Sequence, residues 1–362
     1  MKKILSLALA CILMLGLFAG CAGTTVVISE CTCPEGHDTP DSTEPSKPAV
    51  TEPMITGEGA VKTGLSISTT VSDSTSATAE ADGAVKYDIT LAAVTVDDKG
   101  VIASCVIDAI QSKIKFSNQG KIVTDLSTEF ASKNELGDAY GMKVASSIGK
   151  EWNQQAAAMA EYAVGKTVAE LKGIAVNEKG APSDADLSSS VTLYIGSFVS
   201  GIEAAVNNAT HLGAQAGDKL VLTTTTNMSS SKDATADANG QAQAYATIGA
   251  ITLNGDTVTS CYIDAVQANV NFDAAGKITT DLSAPVASKN ELGEAYGMKK
   301  ASAIGKEWNE QAASFSEYVT GKTLSEVTGI AMVDKKPVDA DLTASVTMKI
   351  NGFITLFEKA AQ

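Results

Sequence analysis

The chain has 362 residues, 27 basic against 42 acidic side chains and a formal net charge of −15, and every basic residue is Lys. Without Arg it lacks the guanidinium fork that grips phosphates and guanine edges, and its acidity repels nucleic acid, so no nucleic-acid partner is expected. Its two histidines, His37 and His211, have no counterparts in the internal repeat described below, which rules out a Ser-His-Asp triad, a Cys-His pair or a His-based zinc site within each repeat.

Met1-Lys2-Lys3 is a basic start, Ile4 to Phe18 an apolar run, and Ala19-Gly20 are small residues before Cys21. This pattern predicts a lipoprotein signal peptide over 1–20, cleaved to leave an acylated Cys21. The alternative is an ordinary signal peptide with an incidental Cys. Two or three acyl chains anchor stably where one does not, so the protein is expected on the extracytoplasmic face of the cell membrane. Residues 21–60 are rich in Thr, Ser, Glu, Pro and Gly and predict a disordered tether. Cys31 and Cys33 lie within it with only His37 close by, too few ligands to close a four-coordinate metal site.

Ala131 to Met142, reading Ala-Ser-Lys-Asn-Glu-Leu-Gly-Asp-Ala-Tyr-Gly-Met, recurs with one change at Ala287 to Met298, 156 residues later. Ile148-Gly-Lys-Glu-Trp-Asn153 recurs likewise at 304–309. The chain therefore divides into repeat 1 (61–206), a linker (207–217) and repeat 2 (218–362), each repeat long enough for its own core. Each opens on a Ser/Thr-rich segment, Ile67 to Gly83 and Leu222 to Gly240, sharing Ala-Thr-Ala-(Glu/Asp)-Ala-(Asp/Asn)-Gly. Strand-like runs follow at Tyr87–Val96 and Val101–Asp108, then at Ala246–Leu253 and Thr257–Asp264. The second pair is joined across Asn254-Gly255, a strong hairpin signal. A third strand is expected at Lys113–Phe116 and a short fourth at Lys121–Val123. Cys105 and Cys261 fall at matching mid-strand positions, as buried free thiols or, alternatively, an inter-repeat disulfide.

Ser132-x-x-Glu135 is a capping box, and the helix it starts is expected to run past Trp152 to about Val164, with Gly165 ending it. Thr167-x-x-Glu170 caps a shorter helix. A last helix follows Asp186, with Leu187, Val191, Ile195, Phe198 and Ile202 on one face. Leu342, Val346, Ile350 and Phe353 repeat that pattern. Strands followed by helices give an α+β class: two tandem homologous domains, each a small antiparallel sheet packed with helices.

The expected long helix contains Gly137, Gly141 and Gly149, repeated as Gly293, Gly297 and Gly305. Each interior Gly costs about 1 kcal/mol against Ala, so their recurrence needs a reason. On a helix Gly137 and Gly141 share a face, flanked by Tyr140 and Met142, where a flat ring could stack. Gly293, Tyr296, Gly297 and Met298 repeat the arrangement. The same residues equally suit tight helix-on-sheet packing with Trp152 in the core.

Lys-x-Glu-Leu-Gly-x-x-Tyr-Gly-Met, Lys-Glu-Trp, Glu-Tyr and Val/Thr-Gly-Lys-Thr, in tandem behind a lipoprotein signal, resemble the flavinylated surface lipoproteins of Gram-positive extracellular electron transfer chains. The resemblance covers almost the whole chain. It implies two FMN groups, each joined through its phosphate to a Thr hydroxyl by an FMN transferase. It further implies electron passage from a membrane NADH dehydrogenase and quinone pool to extracellular acceptors such as ferric iron, by a carrier rather than an enzyme. The attachment signal in that family is loosely Asp-x-x-(Ser/Thr)-Gly-Ala-(Thr/Ser), modified at its last residue. Asp73-Ser-Thr-Ser-Ala-Thr78 keeps part of it, and Ser231-Lys-Asp-Ala-Thr235 only the Ala-Thr end, which makes Thr78 and Thr235 the expected acceptors. The alternative function is a non-redox surface lipoprotein that binds a ligand or partner through the Gly-Tyr-Gly segment.

Overall fold

The computed structural model describes residues 59–362; the signal segment, Cys21 and all but the end of the tether lie outside them. Lys62–Thr70 (β1), Gly83–Val96 (β2) and Ile102–Phe116 (β3) form one antiparallel sheet in the order β1-β2-β3. Helices follow at Lys133–Leu136 (α1), Trp152–Ala163 (α2), Val168–Lys172 (α3), Ala185–Ser188 (α4) and Gly196–Asn208 (α5). Repeat 2 reproduces the plan. Its sheet is Lys219–Asn227 (β4), Gly240–Asn254 (β5) and Thr257–Phe272 (β6). Its helices are Lys289–Leu292 (α6), Trp308–Val319 (α7), Leu324–Thr328 (α8), Ala340–Thr343 (α9) and Asn351–Ala360 (α10). A two-residue hairpin, Met332–Val333 (β7) with Lys336–Pro337 (β8), interrupts them.

The α+β class stands, with antiparallel sheets covered by helices. Within that class three local expectations change. The third strand is the end of β3, because β2 reaches back to Gly83 and pairs with Ala109 through Phe116 without a break. The fourth reduces to a single bridge, Phe116 with Ile122. The long helix does not exist: Gly137, Gly141 and Gly149 have φ of +49°, +79° and +63°, whereas a helix needs about −63°. The chain instead makes α1, a short 3₁₀ turn at Gly137–Tyr140, further turns, and a fresh start at α2. The last helix is likewise split, since Ser189 to Ile195 turns between α4 and α5.

The repeats also share core rather than only owning their own. Ala92, Val94, Ile107 and Ala109 face Trp152, Met159, Phe198 and Ile202 within repeat 1, and repeat 2 has its own equivalent cluster. The other sheet face packs against the partner sheet: Leu65, Ile89, Leu91 and Ile110 meet Leu220, Ile248, Ala250 and Val266. The order is helices, sheet, sheet, helices. Burial on both faces explains why Leu91-Ala-Ala-Val reads as continuously apolar instead of alternating. A further shared cluster centres on Phe116 and Phe272, whose rings stack at 4.2 Å and 9°. Gly83 and Gly240 have no room for a side chain there, because a Cβ would lie 2.5 and 2.4 Å from those rings. The Tyr87 hydroxyl crosses between repeats to donate to the Ala242 carbonyl at 2.8 Å. The linker is docked too: Thr210 pairs with Thr63, and Ala214 is buried with Val61 and Ala103.

Candidate functional site

The duplicated Ser-Lys-Asn-Glu stretch is held by a carboxylate buried in the neighbouring strand. Asp108 Oδ1 accepts the N–H of Ala109 at 2.7 Å and of Asn134 at 3.0 Å, while Asn134 Nδ2 donates to the Ile107 carbonyl at 2.9 Å. Asp264, Ala265, Asn290 and Ile263 repeat this, with distances of 2.7, 3.0 and 3.1 Å. Burial pushes both carboxyls up to about 6, against the pull of Ser132 or Ser288 and these N–H donors. Ser132 and Glu135 form the expected capping box, as do Ser288 and Glu291.

This stapling buries a lysine among aromatic rings. Lys133 is 8 % exposed, with Nζ 4.6 Å from the Tyr140 ring centre and 4.9 Å from that of Trp152. Lys289 is 3 % exposed, 4.3 Å from Tyr296, 4.9 Å from Trp308 and 4.5 Å from a third ring, Tyr245, to whose hydroxyl it donates at 2.9 Å. Such contacts draw on the negative face of the ring. Burial lowers the Lys289 ammonium to about 7, and Asp264 offsets part of that. Tyr140 and Tyr296 are aimed by hydrogen bonds from their hydroxyls to Gln111 and Gln267 at 3.0 and 3.3 Å.

The Gly-Tyr-Gly-Met turn is clamped by a second buried carboxylate. Glu151, 1 % exposed, accepts the N–H groups of Met142 and Lys143 at 2.8 and 2.7 Å; Glu307 does the same for Met298 and Lys299 at 2.8 and 2.9 Å. The glycines serve this turn through their backbone. A Cβ on Gly141, Gly293 or Gly297 would meet nothing within 4 Å, so no other part of the chain packs closely on these glycines. Their positive φ is what other residues resist. Tyr140 and Tyr296 are therefore brought to a lysine and a tryptophan, not to a glycine-notched helix face.

Thr78 and Thr235 occupy equivalent exposed loops. Thr78 Oγ1 accepts the N–H of Glu80 and Ala81 at 3.2 and 3.1 Å, and Thr235 Oγ1 those of Asp237 and Ala238 at 3.4 and 3.1 Å. Each loop is pinned to the other repeat: Ala77 N–H donates to the Gly276 carbonyl at 2.8 Å and Ala234 N–H to that of Gly120 at 2.7 Å. They sit at the Phe116–Phe272 end of the sheets. Tyr140 meets β3 at Gln111, some five residues or roughly 17 Å of strand away. The structure does not bring these threonines against the Gly-Tyr-Gly-Met turn.

Sequence reasoning passes over three groups that the fold brings together. Lys133 and Lys289 lie inside the most obviously duplicated stretch, but nothing in the pattern tells a buried Lys from a solvated one. Gln155 and Gln311, 0 and 1 % exposed, carry no sequence signal of their own; each tethers a threonine. Gln155 Oε1 accepts the N–H of Thr192 at 2.9 Å and its hydroxyl at 3.2 Å, and Gln311 Oε1 those of Thr347 at 2.9 and 3.5 Å. Thr192 and Thr347 close the matching segments Asp186-Leu-Ser-Ser-Ser-Val-Thr192 and Asp341-Leu-Thr-Ala-Ser-Val-Thr347. The spacing from Asp to Thr is the signal that would have found them.

Two cavities adjoin these groups. One of about 270 Å³ in repeat 1 is lined by Asp88, Gln111, Lys133, Trp152 and Tyr194, among others. The other, of about 740 Å³, lies between β6 and α7 beside the linker. Asn290 Oδ1, Asn309 Oδ1 and Ser316 Oγ on its wall are buried without a hydrogen-bond partner. Cys261, on the same wall, and Cys105 are both free, and burial pushes each thiol up to about 12. Thiolate chemistry is suppressed there. Among the described residues no group of three His, Cys, Asp or Glu is placed to hold a metal ion.

Compared with known proteins, a 40-residue stretch, 11 % of this chain, is 52 % identical to chlorophenol reductase of Desulfitobacterium hafniense and covers 12 % of that protein. No family model and no solved structure matches the chain.

Proposed function

We propose that this chain is a membrane-anchored extracytoplasmic electron carrier with one covalent FMN in each repeat. FMN transferase would load it, a membrane NADH dehydrogenase and quinone pool would reduce it, and external acceptors such as ferric iron would take its electrons. The observation that carries this reading is the duplication of a threonine-bearing framework around a buried lysine, tyrosine and tryptophan, in a chain whose signal segment predicts export. Outside the cell a cofactor that dissociates is lost, so a phosphoester to Thr replaces tight binding.

Two pairs of threonines fit a phosphoester. Thr78 and Thr235 are exposed, and their oxygens could keep both N–H contacts after losing the proton. Thr192 and Thr347 match the attachment spacing better: Asp186, Ser189 and Thr192 hold the first, fourth and seventh positions, with Ser190-Val191 where Gly-Ala stands in the signal. Repeat 2 keeps Asp341 and Thr347 but has Ala344 at the fourth position. Leu193 and Tyr194, directly after Thr192, line the cavity beside Trp152 and Lys133. We therefore favour Thr192 and Thr347. Bound FMN would supply the electron-accepting ring; the chain would supply Lys133 or Lys289 as a nearby cation, and Trp and Tyr faces for stacking.

Co-expression with an FMN transferase tests this. The denatured protein is expected to fluoresce as a flavin and to gain two FMN units by intact mass, and peptide mapping identifies the acceptors. A colourless protein of unmodified mass would sink the carrier in favour of the ligand-binding lipoprotein. Modification at Thr78 and Thr235 would move the sites but leave the carrier standing.

A further inference from the structure

The two repeats differ at one wall of the lysine cage. In repeat 2 Tyr245 faces Gln267 across β5 and β6, covers Lys289 and takes its hydrogen bond. At the same register in repeat 1 stands Asp88, facing Gln111 across β2 and β3. Its short side chain accepts from Gln111 Nε2 at 2.5 Å and leaves the space of the ring open. That space is the 270 Å³ cavity, with Asp88, Thr90, Lys133 and Trp152 on its wall. Lys133 is more than nine-tenths buried, and among the described residues its ammonium has ring faces for neighbours but no hydrogen-bond or ion-pair partner. The residue lines this cavity with its ammonium unpaired, whereas its counterpart in repeat 2 donates to the Tyr245 hydroxyl.

We propose that the repeat 1 cavity is a binding site for a small hydroxylated aromatic molecule of the phenol class, which completes the cage as Tyr245 does in repeat 2. The phenol ring lies over Lys133 beside Trp152. Its oxygen accepts from the Lys133 ammonium, and its O–H donates a hydrogen bond to the Asp88 carboxylate or the Thr90 hydroxyl. Tyr194, 62 % exposed at the rim, flanks the entrance. Repeat 2 carries its own occupant and does not bind. The cavity is the one beside the favoured Thr192, so a phenol and a flavin ring would compete for it, but phenol binding needs no modified threonine and is tested without one.

The test uses the full chain made without FMN transferase, so that absence of flavin cannot decide it. 4-Fluorophenol is titrated and followed by ¹⁹F NMR, with 4-fluorotoluene as the probe lacking the hydroxyl. Saturable binding at one site is expected, about tenfold or more weaker for 4-fluorotoluene and for Lys133→Met, since a hydrogen bond to a charged group is lost in each. Asp88→Tyr fills the cavity and is expected to abolish binding; the reciprocal Tyr245→Asp opens the second cage and adds a site. Circular dichroism checks that each variant is folded. Absence of saturable binding to the unmodified chain overturns the proposal. So does equal affinity for the two probes, which would reduce the cavity to an apolar gap, or undiminished binding by folded Asp88→Tyr.

Discussion

Replacing Asp108 with Asn should reverse much of a stability loss that the parent protein suffers as pH rises. The carboxyl is 2 % exposed, and burial raises it from 3.8 to about 6 in the folded chain. A raised folded value means that its contribution is complete below the unfolded value, near 3.8, and is lost as pH climbs through about 6. Some two units at 1.36 kcal/mol each give ~3 kcal/mol for this site, and Asp264 repeats it. Asn keeps an oxygen for the N–H groups of Ala109 and Asn134 and cannot ionise. The stability of Asp108→Asn minus that of the parent should therefore rise by ~3 kcal/mol from about pH 4 to 7.5. The double variant with Asp264→Asn should show up to twice that. Exposed carboxylates held low by hydrogen bonds, such as Asp125, Glu170 and Asp281, tilt stability the other way but cancel in the difference. Urea unfolding followed by Trp fluorescence across this range measures it. A difference independent of pH would refute the argument, since the carboxyls would then titrate normally in the fold.

Phe116→Ala removes half of the stacked pair and should destabilise the whole described unit by ~3–5 kcal/mol, in one transition rather than in one repeat alone; two separated urea transitions would contradict the shared core. Gly141→Ala and Gly141→Leu should cost alike, ~1–2 kcal/mol each, because the left-handed backbone sets the penalty and a Cβ there meets nothing. A much larger loss with Leu would restore close approach as the reason for that glycine. Cys261, with its thiol near 12, should resist alkylation at pH 8 in the folded chain and react on unfolding; rapid native labelling would overturn this.

Elements carried by local chemistry were legible in the sequence. The capping boxes at Ser132, Ser288, Thr167 and Thr323 form where the spacing puts them, and the hairpin expected at Asn254-Gly255 turns one place further on, at Gly255-Asp256, with Asn254 paired to Thr257. What depended on distant partners was not legible. The glycines of the Gly-Tyr-Gly-Met turn look like costly interior helix positions until the Glu151 clamp is seen to hold the chain in turns. The continuity of β3 through Asp108-Ala-Ile-Gln rests on β2 extending opposite it, which periodicity cannot supply. Lys133 and Gln155 look solvated because their types usually are, and only the packed structure brings rings to one and Thr192 to the other.

The reciprocal contacts of the two repeats bear on what one half would do alone. Ala77 reaches Gly276 as Ala234 reaches Gly120, and Phe116 meets Phe272 ring to ring. Residue i of one half touches j of the other while j touches i, which is the rule of an isologous two-fold interface. One half alone would bare an apolar sheet face whose best complement is a second copy of itself. A single repeat of this kind would thus be built to pair with a second copy of itself, and two copies in one chain are free to differ, as Tyr245 and Asp88 do.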